Sequence, residues 1–180
     1  MVNQVERCSQ ILKKLTLNPG VEDDFIDTEC TLNDYVSQIV KSFEEISKKK
    51  FIINTSQNTN PFKISKLIEL VYGIRNFIGN ANKFSQKTIY ISIKSDNDKS
   101  EISIEDDGPG YPRDILNKIG EPYIKSSSVN NEQKVGLGLG IFIGKTLLER
   151  NFAKIVCRNS KTRSGAEVLI SWKNSDLKSL

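Results

Sequence analysis

Four residues of one helical segment could together bind a charged ligand. The apolar spacing predicts a helix over about residues 65–84, and Asn76, Asn80, Lys83 and Phe84 fall on one face of it. An Asn80 amide oxygen suits Mg²⁺, Lys83 can neutralise phosphate, and Phe84 offers a flat apolar surface to a base. Unpaired amides inside a protein cost roughly 1–3 kcal/mol each, so we interpret this face as the lining of a pocket. A solvent-facing polar stripe is the alternative that the helix alone leaves open.

A second candidate follows a predicted strand, where the sequence reads Asp106-Asp107-Gly108-Pro109-Gly110. Gly108 and Gly110 allow the backbone to turn sharply and to approach a ligand closely. The Asp106 carboxylate, at the strand end, can accept a hydrogen bond from an exocyclic amine, which adenine has where guanine has a carbonyl. Taken alone, such a stretch is more often a plain turn.

A third candidate is a glycine cluster, Gly136, Gly138 and Gly140, which opens a predicted helix reaching about Arg150. Backbone N–H groups at a helix N-terminus bind anions. The spacing is neither that of a P-loop nor the dinucleotide-binding fingerprint, so the cluster is a weak signal by itself.

The composition excludes several classes of protein. The 180 residues, 37% hydrophobic and 27% charged, fit one globular domain with a small appendage. The net charge of +4 is dispersed, so we expect no nucleic-acid partner. No apolar stretch approaches the roughly 20 residues of a membrane span, and no signal peptide is visible, so we expect this chain in the cytoplasm. The absence of histidine rules out histidine-based acid–base chemistry within the chain.

The hydrophobic patterns predict an α+β domain in which a sheet and helices form two layers. A helix over residues 2–17 precedes a break at residues 18–20, and Thr31 is a candidate N-cap. We expect Ile46 on the buried face of the helix that Thr31 begins. The other predicted elements are a strand at 25–30, a helix at 31–48, a strand at 51–55, a polar loop at 56–61, a hairpin of 89–94 and 101–105, a short helix at 113–119, a mobile polar tract at 126–134, and strands at 153–158 and 166–173.

These three candidate sites, in this order and with a lid-like tract before the third, resemble the N, G1 and G2 boxes of the GHKL ATPase/kinase superfamily. Tyr123 in Gly120-Glu121-Pro122-Tyr123 resembles the F box of histidine kinases, and Ser164-Gly165-Ala166 resembles their final glycine turn. The resemblance covers about residues 28–173. It implies a two-layer α/β sandwich of the Bergerat type, with a mixed, mostly antiparallel sheet on three helices.

The resemblance also implies the ligands ATP and Mg²⁺. Asp106 and Phe84 would hold adenine, Asn80 would hold Mg²⁺, Lys83 and the glycine cluster would hold the phosphates, and Asn76 would orient them. Gly108, Gly110 and Tyr123 would also line the nucleotide site. The gyrase, MutL and Hsp90 ATPases carry a glutamate where this chain has Asn76. An amide cannot accept the proton of an attacking water, so the γ-phosphate would be spared for a protein acceptor. The acceptor would be a histidine on a dimerisation helix of the same full-length kinase, a homodimer, and a response regulator receiver domain would be the next partner.

The chain is similar to the RegB/PrrB group of redox-responding sensor kinases in residues 120–123, 136–140 and 145–150. Residues 5–12 are similar to the surroundings of that group's proposed redox cysteine, which makes Cys8 a redox candidate. A small apolar filler in a helix stripe is the other interpretation of Cys8. The resemblance divides the chain into residues 1–20, the end of a dimerisation and phosphotransfer helix, and 21–180, the catalytic domain. It places the full-length protein in the inner membrane.

Departures from the family pattern leave alternatives open. Gly73, Gly79 and Gly144 lie inside predicted helices, and Asn82 replaces an aliphatic residue of the N box. The glycines either soften the helix that carries the pocket or, at Gly79, allow close packing. The rival functions are a degenerate nucleotide-binding interaction module, a GHKL ATPase and a protein-serine kinase.

Overall fold

The computed structural model describes residues 29–55, 63–65, 67–124 and 139–180. The predicted helix at 2–17, most of the strand at 25–30, the loop at 56–61 and the tract at 126–134 lie outside the described residues. The same is true of Cys8, Gly136 and Gly138.

A five-stranded sheet forms one layer of the domain. The order across the sheet is β1-β2-β3-β5-β4, and only the β1–β2 pair is parallel. A parallel pair needs a crossover, which the helix between these two strands provides. The strands are β1 (Lys50–Thr55), β2 (Thr88–Ser95), β3 (Lys99–Asp106), β4 (Lys154–Asn159) and β5 (Ala166–Lys173).

Helices cover one face of this sheet and form the second layer. They are α1 (Leu32–Glu44), α2 (Ile68–Phe84), α3 (Gly140–Arg150) and the short C-terminal α4 (Asn174–Lys178). In β2 and β3 every second side chain is buried against the helices, as the alternation of apolar residues predicts. The isoleucines of this row are Ile89, Ile91, Ile93, Ile102 and Ile104. The predicted two-layer fold is confirmed.

The start of α1 is as predicted, and its end is not. Thr31 and Asp34 form a capping box, in which each side chain bonds to the other residue's backbone N–H. The helix ends at Glu44 rather than near residue 48. The amides of Ile46 and Ser47 both bond to the Phe43 carbonyl, which turns the chain toward β1. Ile46 is 67% exposed, so its predicted place on the buried face was wrong.

Two other elements differ from the prediction. Residues 113–119 form only a short 3₁₀ turn (Leu116–Lys118), because their bonds run from residue i+3 to residue i. Helix α4 was not predicted. It is fixed by Asn174, whose side chain accepts from Ser100 Oγ and donates to the Asp96 carbonyl, and these are contacts with a distant hairpin.

Glycines set the spacing between α2 and α3. A Cβ atom on Gly73 would lie 2.5 Å from Cγ of Leu148, and one on Gly144 would lie 3.0 Å from the Phe77 ring. A Cβ on Gly79 would meet only the Phe43 ring, at an ordinary 3.4 Å. Close packing therefore explains Gly73 and Gly144 rather than Gly79.

Within the residues that the structure describes, no helix is both long and apolar enough to cross a bilayer.

Candidate functional site

Helix α2 carries two amides on the side away from its buried residues. Asn76 and Asn80 are half-buried. The Asn76 amide nitrogen donates to the Tyr72 carbonyl at 2.8 Å, within the same helix. No residue in the described ranges donates to Asn76 Oδ1 or bonds to the Asn80 side chain. Asn76 Oδ1 and the Asn80 amide thus have no partner among the described residues.

The N-terminus of α3 lies beside the first of these amides. The helix begins at Gly140, and no side chain of the described residues caps it. A Cβ on Gly140 would lie 3.9 Å from Asn76 Oδ1. Uncapped N–H groups carry partial positive charge and favour an anion. Asn76 and the start of α3 therefore form one surface suited to phosphate.

Asp106, at the end of β3, is buried with one of its two carboxylate oxygens unpaired. It is 3% exposed, and Oδ1 accepts from the N–H groups of Gly108 at 2.8 Å and Ala166 at 3.2 Å. Oδ2 accepts no hydrogen bond from the described part of the chain. Burial raises the pKa of Asp106 above its usual value, against the opposite effect of the two N–H donors. A carboxylate oxygen that no described residue pairs fits a ligand that brings an amine.

The turn after β3 packs against the end of α2. A Cβ on Gly108 would clash with the Phe84 carbonyl, so only glycine allows this contact. Gly110 adopts a left-handed φ of 76°. Asn159, on β4, holds the backbone of Tyr111 from both sides, accepting from its N–H and donating to its carbonyl. The turn is therefore fixed from two directions.

Asp107 stabilises the site without lining it, a role that was not predicted from the sequence. Its carboxylate accepts hydrogen bonds from the backbone N–H groups of Gln86, Lys87 and Thr88. This ties the turn between α2 and β2 to the end of β3. The only hint in the sequence is a second aspartate directly after Asp106.

Lys83 and Tyr123, also predicted to line the site, make few contacts with other described residues. Lys83 is exposed, and its Nζ lies 5.4 Å from the centroid of the Phe84 ring. Tyr123 is 70% exposed at a left-handed φ of 62°, and no hydrogen bond or ring contact joins it to another described residue. The structure therefore brings Asn76 to Gly140, Phe84 to Gly108 and Lys83 to Phe84.

The described residues fit a magnesium ion that is coordinated mainly by a bound phosphate-containing ligand and only in small part by the protein. Among the described residues, no three His, Cys, Asp or Glu side chains lie close enough together to form a metal site. Magnesium commonly binds one or two protein oxygens and completes its shell with phosphate and water. The amide of Asn80 can supply such an oxygen.

Residues 66–175 match the protein family described as histidine kinase-, DNA gyrase B-, and HSP90-like ATPase. The chain is 29% identical over 187 aligned positions to the sensor histidine kinase RegB of Cereibacter sphaeroides, covering 94% of this chain and 40% of RegB. It is 37% identical over 165 positions to the sensor protein KdpD of Clostridium acetobutylicum, covering 88% of this chain and 17% of KdpD. The chain therefore spans less than half the length of these relatives.

Solved structures share the fold. The mycobacterial sensor histidine kinase MprB superposes with a TM-score of 0.66 at 18% identity, covering 81% of this chain and 97% of that one. The catalytic domain of histidine kinase ThkA gives 0.64 at 20% identity, covering 81% and 95%. Full-length ShkA in complex with AMPPNP gives 0.65 at 18% identity, covering 81% and 30%.

Proposed function

Because the chain belongs to the family of histidine kinase-, DNA gyrase B-, and HSP90-like ATPases, we propose that it is the ATP-binding catalytic domain of a sensor histidine kinase. It binds Mg-ATP and places the γ-phosphate for transfer to a histidine. That histidine lies outside this sequence, which contains none.

The observation that carries the proposal is the unpaired oxygen of the buried Asp106 carboxylate. The exocyclic amine of adenine supplies the missing donor, whereas guanine would present a second acceptor. Phe84, whose carbonyl touches the same turn, offers its ring to the base.

The phosphates would lie along α2 beside Asn76 and Asn80, next to the start of α3. Asn80 would supply an oxygen to Mg²⁺, and the uncapped start of α3, with Gly136 and Gly138 before it, would supply N–H donors. Lys83 would neutralise charge. Magnesium draws charge from the phosphate oxygens when bound, and phosphoryl transfer depends mainly on such neutralisation and on positioning.

Asn76 is what favours transfer over hydrolysis. It lies beside Gly140, where the phosphates would be, but its amide cannot take a proton from water. We therefore propose that Asn76 orients the phosphates while a histidine acts as the nucleophile. Steady ADP release without any acceptor would favour the ATPase alternative instead.

Calorimetry of Mg-ATP binding to this chain and to Asp106→Asn tests the proposal. We expect binding to be lost in the variant, because an amide nitrogen would face the adenine amine donor to donor. If the wild-type chain binds no ATP, or if Asp106→Asn binds as tightly as the wild type, the pocket proposed above is wrong. The first result would favour a degenerate module or a pocket that needs the missing helices.

We propose that residues 21–180 act with a phosphoacceptor helix, of which residues 1–20 are the end, in a homodimeric kinase. Its product would be a phosphohistidine read by a response regulator receiver domain. The domain would work in the cytoplasm as part of a protein anchored in the inner membrane.

A redox input is proposed from the similarity to RegB. Cys8 is the candidate sensor. Burial raises the pKa of Cys157 to about 11, so this thiol does not ionise readily, and Cys30 is buried. In a kinase containing the acceptor helix, Cys8→Ala should remove the response of autophosphorylation to oxidant, and an unchanged response would end this proposal.

A further inference from the structure

The turn between α1 and β1 grips the C-terminal end of α2. The Lys49 ammonium donates hydrogen bonds to the carbonyl oxygens of Asn82 and Ser85, the latter at 2.6 Å. Carbonyls at the C-terminus of a helix lack partners within the helix and carry partial negative charge. A half-buried ammonium is therefore a strong cap for them.

The same turn also holds the side chain of Asn82. Ser47 Oγ donates to Asn82 Oδ1 at 2.7 Å, and the Lys49 N–H donates to Ser47 Oγ at 3.1 Å. Asn82 is thus held by its side chain and by its backbone. The aliphatic residue that the family pattern has at this position could not accept the serine hydroxyl.

The carbonyls bound by Lys49, those of Asn82 and Ser85, lie on either side of Lys83 and Phe84 in the sequence. These are the residues proposed to contact the phosphates and the base. Beyond them, Asp107 holds the next three backbone N–H groups. The Phe84 carbonyl lies against Gly108, two residues from Asp106. A shift of the helix end would therefore move the base-binding ring and the adenine-reading carboxylate relative to each other.

We propose that Lys49 is a positioning residue of the nucleotide site. Through the carbonyls of Asn82 and Ser85 it fixes the register between Phe84 and Asp106, and so contributes to the choice of adenine. This inference rests on the proposed function. Lys49 acts through the end of α2, and its positive charge also acts on the Asp106 carboxylate, whose pKa it lowers against the effect of burial.

Three consecutive lysines supply matched controls. Lys48 and Lys50 are exposed. Lys48→Met and Lys50→Met therefore make the same change of charge as Lys49→Met without removing the hydrogen bonds to the Asn82 and Ser85 carbonyls. The probes are ATP and inosine triphosphate, which has a carbonyl in place of the exocyclic amine. Competition against a fluorescent nucleotide gives both dissociation constants.

We expect Lys49→Met to weaken ATP binding about tenfold and to reduce the preference for ATP over inosine triphosphate. The two control variants should stay within about twofold of the wild type. Lys49→Arg should restore much of the preference, because a guanidinium can donate to both carbonyls. A merely destabilised domain would lose affinity for both nucleotides by one factor, since only the folded fraction binds.

An unchanged ATP preference in folded Lys49→Met, or an equal loss in Lys48→Met, overturns the inference. If Lys49→Met does not fold, Ser47→Ala and Asn82→Leu can be used, since each removes the hydrogen bond between the Ser47 and Asn82 side chains. Both variants must then lower the preference for ATP over inosine triphosphate for the inference to stand. Absence of ATP binding by the wild type would instead overturn the proposed function, and the role of Lys49 with it.

Discussion

Asp106 and Asp107 are adjacent residues with opposite surroundings. Burial raises the pKa of Asp106, and among the described residues only Oδ1 finds hydrogen-bond donors. For Asp107 partial burial acts in the same direction, but three backbone N–H donors outweigh it and lower the pKa below the ordinary 3.8. The first aspartate thus keeps one oxygen that no described residue pairs, and the second holds the backbone.

We expect Asp107→Asn to destabilise the domain by about 1–2 kcal/mol at pH 6, because an amide replaces an ionised acceptor of several N–H donors. A lowered folded pKa contributes stability above the unfolded value and loses it as the pH falls through the folded pKa. The gap between wild type and variant should therefore narrow below pH 3.8. Urea unfolding at pH 6 and pH 3 measures both.

Asp98→Asn is the control for this prediction, since Asp98 is exposed and its carboxylate accepts no hydrogen bond from the residues described. It should change stability little at either pH. A gap for Asp107→Asn that stays constant from pH 6 to pH 3 would contradict the assignment of the ionised carboxylate to this turn.

At the scale of elements, the contact between α2 and α3 decides where Asn76 lies relative to Gly140. Gly73→Ala should cost about 1–3 kcal/mol by overpacking, because Leu148 is fully buried and has no room to move. Gly79→Ala, on the same helix, should instead stabilise by up to about 1 kcal/mol through helix propensity. Chemical denaturation of the two variants measures the difference.

Similar effects of these two alanines would show that the glycines serve flexibility rather than packing. Gly73→Ala should also weaken ATP binding, because pushing α3 away separates its N-terminus from Asn76. Gly79→Ala should leave ATP binding unchanged.

Element positions were largely predictable because apolar residues repeat every second residue in β2 and β3 and every third or fourth in α1 and α2. The same repeat placed Asn76 and Asn80 together. What could not be predicted depends on contacts between distant residues. Three such contacts are those of Lys49 with Asn82 and Ser85, of Asn174 with the hairpin, and of Asn159 with Tyr111. No local sequence pattern predicts them, since nothing nearby in the sequence indicates which distant group a side chain meets.

At the scale of the whole molecule, binding and transfer should be separable. This chain, which lacks histidine, should bind ATP but form no acid-labile phosphate. Addition of a separate dimerisation hairpin from the same kinase should restore the label, with radioactive ATP and acid treatment as the assay. Label in the chain alone would contradict the proposed acceptor, and a hairpin whose histidine is replaced by glutamine is the matched control.

The hydrogen bond from the Ala166 N–H to Asp106 joins residues 60 positions apart. On a ribosome, the carboxylate proposed to bind adenine therefore lacks one of its two backbone donors until β5 has emerged, after α2 and β3 have been made. A nascent chain that ends before residue 166 has every proposed phosphate contact but not this one. We therefore expect nucleotide binding to need the completed domain.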